Sequence, residues 1–345
     1  MSMMSIKIGI IGASGYWGKK ILPAILSFPN VEVVVCAGNS DSQKLSEAAA
    51  EVRLRFPRLI ELLGFKPVIE HPSLDAVIVA TPAETHFSIA GEALKAGKHV
   101  FLEKPMCLRL DQARELTKLA KRKNKILFID HTYLHSKCLH FIKKKLDEGD
   151  LGTKIHYFHT NRTQMGIYRL HNILWDLGSH DLSIVKYLFP DEVLDGIKVD
   201  GWLNFQPYGD HTSGNFIDTI SFRLSYRSGF IASAFLSWCY PKRARDIIIA
   251  GENRMVVFEN NTKITIFEHD MSSRNSTGEI QWHLVEEYSP DDNPLRNSLR
   301  CFFSCVEKKK IKTNYWLSPD FACQIIGQLE KIEKAYNSKR SSMLT

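Results

Sequence analysis

Lys104 stands between Glu103 and Pro105, directly after the apolar run His99-Val100-Phe101-Leu102. An amine at the carboxyl end of a sheet strand can orient a substrate hydroxyl and share its proton. Taken alone, a lysine there reads as an exposed turn residue, its backbone restrained by Pro105, which also admits a cis bond. Further on, Trp175-Asp176-Leu177-Gly178-Ser179-His180-Asp181 opens a helical pattern whose apolar side is Ile184, Val185 and Leu188. Asp176 and His180 are four apart, so on a helix they project from one face. Oxidising a secondary alcohol requires a group that removes the hydroxyl proton as the hydride leaves, and imidazole titrates near neutral pH. A helix cap with a structural histidine would carry the same spacing.

These groups need a scaffold, and the chain supplies one at its start. The apolar run Ile6-Lys7-Ile8-Gly9-Ile10-Ile11 breaks into Gly12-Ala13-Ser14-Gly15-Tyr16-Trp17-Gly18, after which Ile21, Leu22, Ile25 and Phe28 recur at helical spacing. A glycine turn that opens a helix presents free N–H groups and a positive dipole end to an anion, typically a dinucleotide pyrophosphate. The first glycine spacing is one residue longer than in G-x-G-x-x-G, which alters the turn and brings Ser14 toward a phosphate. The second strand, Val31 to Cys36, ends in Ala37-Gly38-Asn39-Ser40-Asp41 with Lys44 nearby, where NAD-binding units usually carry an acid for the ribose. Its absence leaves room for a 2′-phosphate and Asp41 is still within reach of the ribose, so NAD and NADP both stay open.

The remaining punctuation predicts a doubly wound sheet. A short third strand is expected at Lys66-Pro67-Val68-Ile69 and a fourth at Ala76 to Ala80, ending in Thr81-Pro82 and His86, where such sheets place ligands. His86 also suits an ordinary helix start. A helix over Ile89–Ala96, a fifth strand over His99–Leu102, a helix marked by Leu110, Ala113, Leu116 and Ala120, and a strand at Ile126–Ile129 complete the alternation. From Ile155 the chain turns to alternating β-branched and aromatic stretches, the pattern of a largely antiparallel sheet, before closing helices at Leu295–Val306 and Phe321–Tyr336. The expectation is an α/β protein with a Rossmann domain over 1–130 and a substrate-binding and oligomerisation domain over 131–345.

Composition narrows the function class. A chain of 345 residues, 44% hydrophobic and 24% charged, suits two globular domains. No apolar run is long enough to span a bilayer and the start lacks a secretory pattern, so the expected compartment is the cytoplasm. Seven cysteines without a C-x-x-C pair argue for reduced thiols and against a zinc ribbon. His131, His135, His140, His156 and His159 lack zinc-site spacing, and no metal is expected. The net charge of +7 gathers at Lys118–Lys125, Lys143–Lys145 and Lys308–Lys310 without interleaved aromatics, which reads as solvated helix faces and not as a nucleic-acid groove. The field still favours an anionic small substrate.

Together these residues resemble the Gfo/Idh/MocA oxidoreductase family. The likeness rests on Gly15-Tyr16-Trp17-Gly18, Ala80-Thr81-Pro82 with His86, Gly97-Lys98-His99-Val100 leading into Glu103-Lys104-Pro105, and Asp176-Leu177-Gly178-Ser179-His180. His131-Thr132-Tyr133-Leu134, Leu174-Trp175, Ser237-Trp238 before Pro241-Lys242, and Pro294-Leu295 make it most similar to dehydrogenases that oxidise C3 of UDP-activated N-acetylated sugars or their uronic acids. The resemblance implies NAD or NADP held by Gly12, Ala13, Ser14, Gly15, Tyr16, Trp17, Thr81, Pro82, His86, Glu103 and Lys104. It implies Lys104 and His180 as the catalytic pair with Asp176 supporting the substrate hydroxyl. It also places Arg162, Arg169 and Asn172 around the sugar or its carboxylate, and implies a homo-oligomer, a dimer or tetramer, built on the open sheet. A reductase of a free keto sugar or inositol is the alternative within enzymes. A non-catalytic NAD(P)-sensing regulator is the alternative outside them, though a sensor has no need of both Lys104 and His180.

Overall fold

The structure, a computed structural model, describes residues 5–38, 41–164, 172–203, 217–274, 280–310 and 314–344. The chain forms two compact units: Met1–Thr132 with Asn293–Gly327, and Tyr133–Asp292 with Gln328–Thr345.

In the first unit the order is β1 (Ile6–Ile11), α1 (Gly18–Ile25), β2 (Val31–Gly38), α2 (Ser42–Arg55), β3 (Ile60–Leu63), α3 (Lys66–Glu70), β4 (Ala76–Val79), α4 (Ala83–Lys95), β5 (His99–Glu103), α5 (Leu110–Lys123) and β6 (Leu127–Asp130). The six strands make a parallel sheet in the order β3-β2-β1-β4-β5-β6. Every residue of β4, β5 and β6 is buried, which explains their unbroken apolar runs: helices cover both faces, so alternation has no work to do. The third strand is not at Lys66–Ile69. Those residues form α3, where Pro67 sits at the helix start and Val68 and Ile69 are buried, while the strand is the half-exposed edge Ile60–Leu63. Proline suits a first helical turn, where its missing N–H costs nothing, better than a sheet ladder.

The second unit holds α6 (Lys137–Asp147), β7 (Ile155–Thr163), a π turn (Leu174–Gly178), α7 (Ser179–Leu188), β8 (Leu194–Leu203), β9 (Thr219–Tyr226), β10 (Ile231–Ser237), β11 (Ala244–Gly251), β12 (Arg254–Glu259), β13 (Lys263–Arg274) and β14 (Ile280–Tyr288). Its eight-stranded sheet runs β14-β13-β12-β11-β7-β10-β9-β8, with only the β7–β10 pair parallel. Period-2 burial puts Phe158, Thr160 and Arg162 of β7 on the covered face with Ile247 and Ile249 of β11 and Ala232, Ala234 and Leu236 of β10.

Helix α8 (Pro294–Glu307) then packs on the first sheet. Asn293 caps it by accepting the Arg296 N–H at 3.0 Å, with Pro294 opening the first turn. Phe302 meets Phe101 and Phe128 edge-on at 5.4 and 5.8 Å, and Phe303 meets Phe28 at 5.1 Å. Helix α9 (Pro319–Leu344) closes the chain.

Candidate functional site

In the first unit the strand order reverses between β1 and β4, and open parallel sheets bind ligands at such a point. The glycine turn lies there. Gly12 has φ of +86°, and a Cβ on it would fall 2.5 Å from the Ala80 carbonyl oxygen at the end of β4. The Gly12 and Ala13 N–H groups both donate to the Ala37 carbonyl at 2.9 Å, which ties the turn to the end of β2. Gly18 serves the helix: a Cβ there would lie 2.2 Å from the Gly12 carbonyl oxygen and 2.4 Å from that of Ala13, so only glycine lets α1 start this close to the turn. Helix α1 begins with neither a side-chain cap nor an acidic residue in its first turn. The Ser14 hydroxyl sits against Gly38, at the end of β2. Beyond β2, Asp41 caps α2 by accepting the Lys44 N–H at 2.9 Å, and its other oxygen pairs with the Lys44 ammonium at 3.1 Å.

Lys104 follows β5 and is 7% exposed, joined to Pro105 by a cis bond. His86 on α4 spans two turns: Nδ1 meets the Pro105 carbonyl and Nε2 the Thr81 carbonyl, both at 2.8 Å. The ring is 1% exposed and its nitrogens are occupied by backbone; burial pushes its pKa down against those two carbonyls. Glu103 pairs in register with Asp130 of β6. Both are fully buried, but Asp130 accepts the Ser298 hydroxyl at 2.6 Å and the Thr132 hydroxyl at 2.8 Å, whereas neither Glu103 oxygen has a partner among the described residues. Burial, then the Asp130 charge, raises the Glu103 carboxyl well above the usual range, and burial lifts Asp130 to about 6. His131 is buried with no partner for either ring nitrogen among the described residues; burial, reinforced by the Lys104 charge, takes it down to about 3.

In the second unit Asp176 lies in the π turn and His180 at the second position of α7, so the stretch is a widened turn leading into a helix and not one regular α-helix. His180 is 5% exposed and meets the Tyr133 ring edge-on at 4.7 Å. The other face of the arrangement is ionic. Arg162 is 1% exposed; its Nε reaches both Asp181 oxygens at 3.0 and 3.1 Å, its Nη2 reaches one at 2.9 Å, and Thr160 donates to the same carboxylate at 2.8 Å. The Arg162 guanidinium also lies 4.8 Å from the Tyr133 ring centroid. Directly opposite Arg162 in the β7–β11 register is Arg245, whose Nη1 donates to the Tyr133 hydroxyl at 2.5 Å. Burial, with the charges of Arg162 and Arg243, pulls Arg245 below the ordinary guanidinium range against the pull of Tyr133.

Of the residues singled out in this unit, Arg162 and His180 therefore share one cluster through Tyr133. Asn172 does not join it by any contact of its own: its Nδ2 donates to Glu333 at 3.2 Å and its Oδ1 accepts the Leu174 N–H at 3.0 Å, which braces the π turn. Arg169 lies outside the described residues. Asp130, Ser298 and Arg245 were missed by sequence reasoning, and Asp181, though part of the quoted stretch, was given no role. Its place beside His180 is the signal that could have given it one; Arg245 leaves no local signal, because only strand register brings it to Arg162. Among the described residues no group of three or more His, Cys, Asp or Glu is placed to hold a metal ion, and no helix is long and apolar enough to cross a membrane.

Residues 6–131 match the family model GFO_IDH_MocA, described as an oxidoreductase family with an NAD-binding Rossmann fold. Among curated proteins the chain is 31% identical over 147 residues to dTDP-3,4-didehydro-2,6-dideoxy-alpha-D-glucose 3-reductase of Saccharopolyspora spinosa, covering 43% of this chain and 42% of that one. The chain spans about half the length, or less, of the curated relatives it matches first. Two solved structures share the fold over 96% of this chain and 98% of theirs: UDP-N-acetylglucosamine 3-dehydrogenase GnnA from Acidithiobacillus ferrooxidans, with TM-score 0.76 and 18% identity, and KijD10, a 3-ketoreductase from Actinomadura kijaniata in complex with NADP and TDP-benzene, with TM-score 0.77 and 20% identity.

Proposed function

From the match of residues 6–131 to the Gfo/Idh/MocA oxidoreductase family model with its NAD-binding Rossmann fold, we propose that the chain is an NAD(P)-dependent oxidoreductase acting on a CH–OH group of a sugar, the substrate being a nucleotide-linked sugar that reacts at C3. The observation that carries this reading is a lysine buried at the carboxyl end of β5, in the same unit as a glycine turn and an uncapped helix start at the switch point of the sheet. The similarity to a dTDP-sugar 3-reductase supports the choice of substrate class and carbon.

The residues fit a dinucleotide. Helix α1 starts without a cap or an acid, so its N-terminal dipole is available to a pyrophosphate. The carboxylate of Asp41 is paired with Lys44 and caps α2, so a cation stands beside the acid at this strand end, and the reading admits NADP beside NAD. Gly12, Ala13, Ser14, Gly15, Tyr16 and Trp17 are assigned to the pyrophosphate, and Thr81, Pro82, Glu103 and Lys104 to the nicotinamide end. His86 acts through the backbone, holding the Thr81 and Pro105 turns together. The bound nicotinamide supplies the hydride acceptor in oxidation and the donor in reduction.

The protein's own part is the proton. Converting CH–OH to C=O releases a hydride from carbon and a proton from oxygen. Lys104 orients the hydroxyl and His180 takes its proton, with Asp176 supporting the hydroxyl; in reduction the same groups return the proton. Arg162 serves from within its ion pair with Asp181. The seven free cysteines suit a reducing cytoplasm, and self-association through the eight-stranded sheet belongs to the same reading.

Purified protein given NAD or NADP and a panel of UDP- and dTDP-sugars, free sugars and inositols should change absorbance at the reduced-cofactor band with a nucleotide sugar. Lys104→Ala should abolish that change, and His180→Asn should lower turnover by about 10²-fold or more while leaving cofactor affinity nearly unchanged. An unaffected rate in Lys104→Ala refutes its role. Loss of cofactor binding in His180→Asn makes that histidine structural.

A further inference from the structure

We propose that Glu333, on the closing helix α9, is a positioning residue for the proton-transfer end of the site: it holds Asn172 and Trp175, and through them the π turn that carries Asp176 into α7. The inference rests on the reading of Asp176 and His180 as the groups that support the substrate hydroxyl and take its proton. It begins from a misfit on α9. Leu329, Ile332 and Tyr336 recur at helical spacing and are 0%, 0% and 3% exposed, yet Glu333, four residues after Leu329, lies on the same side of the helix and is half-buried. A carboxylate set among buried apolar side chains is costly unless donors meet it. Two do, at one oxygen: Oε1 accepts the Asn172 Nδ2 at 3.2 Å and the Trp175 indole N–H at 3.0 Å.

Both donors belong to the start of the π turn. A carboxylate only accepts, so it draws the Asn172 amide nitrogen toward itself and leaves Oδ1 to accept the Leu174 N–H at 3.0 Å. The Asn172 carbonyl takes the Trp175 and Asp176 N–H groups at 3.1 and 3.2 Å, so one residue satisfies three consecutive N–H groups of a turn that has no side-chain cap at Ile173. Asp176 comes next, and α7 follows Gly178 without a break, with His180 at its second position. Other elements also hold this turn. The Ile173 N–H donates to the Ile217 carbonyl at 3.1 Å, and a Cβ on Gly178 would meet Leu236 of β10 at 3.2 Å and Leu329 of α9 at 3.8 Å. Such packing fixes the depth of the turn, while the two directional bonds from Glu333 fix its rotation. A π turn is a rare, widened form that recurs at functional sites, and a misplacement of about 1 Å at a reacting group can cost about 10²-fold in rate.

The test starts without substrate, on the full-length protein. Its six tryptophans give indole N–H signals in an ¹H–¹⁵N spectrum, and that of Trp175 is identified by its loss in Trp175→Phe. Glu333→Leu, which keeps a good helix former of similar bulk, should move the Trp175 signal and speed hydrogen exchange of the amides from Leu174 to Gly178 by about 10-fold or more. Glu333→Gln keeps one oxygen able to accept both bonds and should hold that exchange near the native rate. With a nucleotide sugar and cofactor, Glu333→Leu should lower turnover by about 10- to 100-fold with NADH affinity unchanged, and Glu333→Gln should recover most of it. A general loss of structure would lower the rate by the same factor in any background, whereas a residue acting through the turn should cost much less once Asp176→Asn is already present. Native exchange in Glu333→Leu, no recovery in Glu333→Gln, or an undiminished cost in the Asp176→Asn background overturns the proposal. A native rate in both Asp176→Asn and His180→Asn would instead refute the reading of the site, and the positioning role with it; the two failures are told apart because the exchange measurement is made without substrate.

Discussion

Asp181→Asn should cost the second unit about 3–5 kcal/mol. The side chain is 1% exposed and receives Arg162 through Nε at 3.0 and 3.1 Å and Nη2 at 2.9 Å, with the Thr160 hydroxyl at 2.8 Å. Charge centres about 4 Å apart attract by about 4 kcal/mol at an effective dielectric constant near 20. Asparagine keeps the volume but removes the charge and turns an amide donor toward a guanidinium donor. The larger part of the loss is the Arg162 cation, then buried without compensation opposite Arg245. Four of the six tryptophans, Trp175, Trp202, Trp238 and Trp282, belong to this unit, so urea unfolding followed by tryptophan fluorescence reports mainly on it. At a slope of about 2–3 kcal/mol/M the midpoint should fall by about 1–2 M. Arg162→Met combined with Asp181→Leu should cost less than Asp181→Asn alone, since removing both charges leaves none stranded. A midpoint shift below about 0.5 M in Asp181→Asn, or a double variant worse than the single, would refute the reasoning.

Two further outcomes follow from the first unit. Burial raises the folded-state pKa of Asp130 to about 6, above its unfolded value, so the folded state binds the extra proton; its contribution is fully present below the unfolded pKa and is lost as pH rises through about 6. Asp130→Asn, free of that ionisation, should gain stability relative to the native protein between pH 4 and pH 7 in parallel urea titrations, and a constant difference across that range would rule it out. Gly18→Ala should cost about 1–3 kcal/mol and weaken NADH binding, because its Cβ would lie 2.2 Å from one backbone oxygen and 2.4 Å from another; native stability together with native NADH fluorescence titration would contradict this.

Local pattern alone determined a good deal. The glycine turn, the buried runs of β4 to β6, and the change from helix–strand alternation to period-2 stretches are all written within windows of a few residues, because helix and strand periodicity is a property of neighbours in the chain. So are Lys104 at the end of β5 and the four-residue interval from Asp176 to His180. Tertiary structure decided what depends on distant partners. Strand β3 escaped notice because it is a half-exposed edge without a clean apolar run, while Val68 and Ile69 drew attention although they are buried as a helix. No local pattern marks α8 for the first sheet, where Ser298 reaches Asp130 across 168 residues and Phe302 reaches Phe101 across a longer stretch still. The Glu103–Asp130 and Arg162–Arg245 pairs are products of register. Register is set by how whole faces bury against their neighbours, and a one-residue slip would send each of these charges to the opposite side of its sheet.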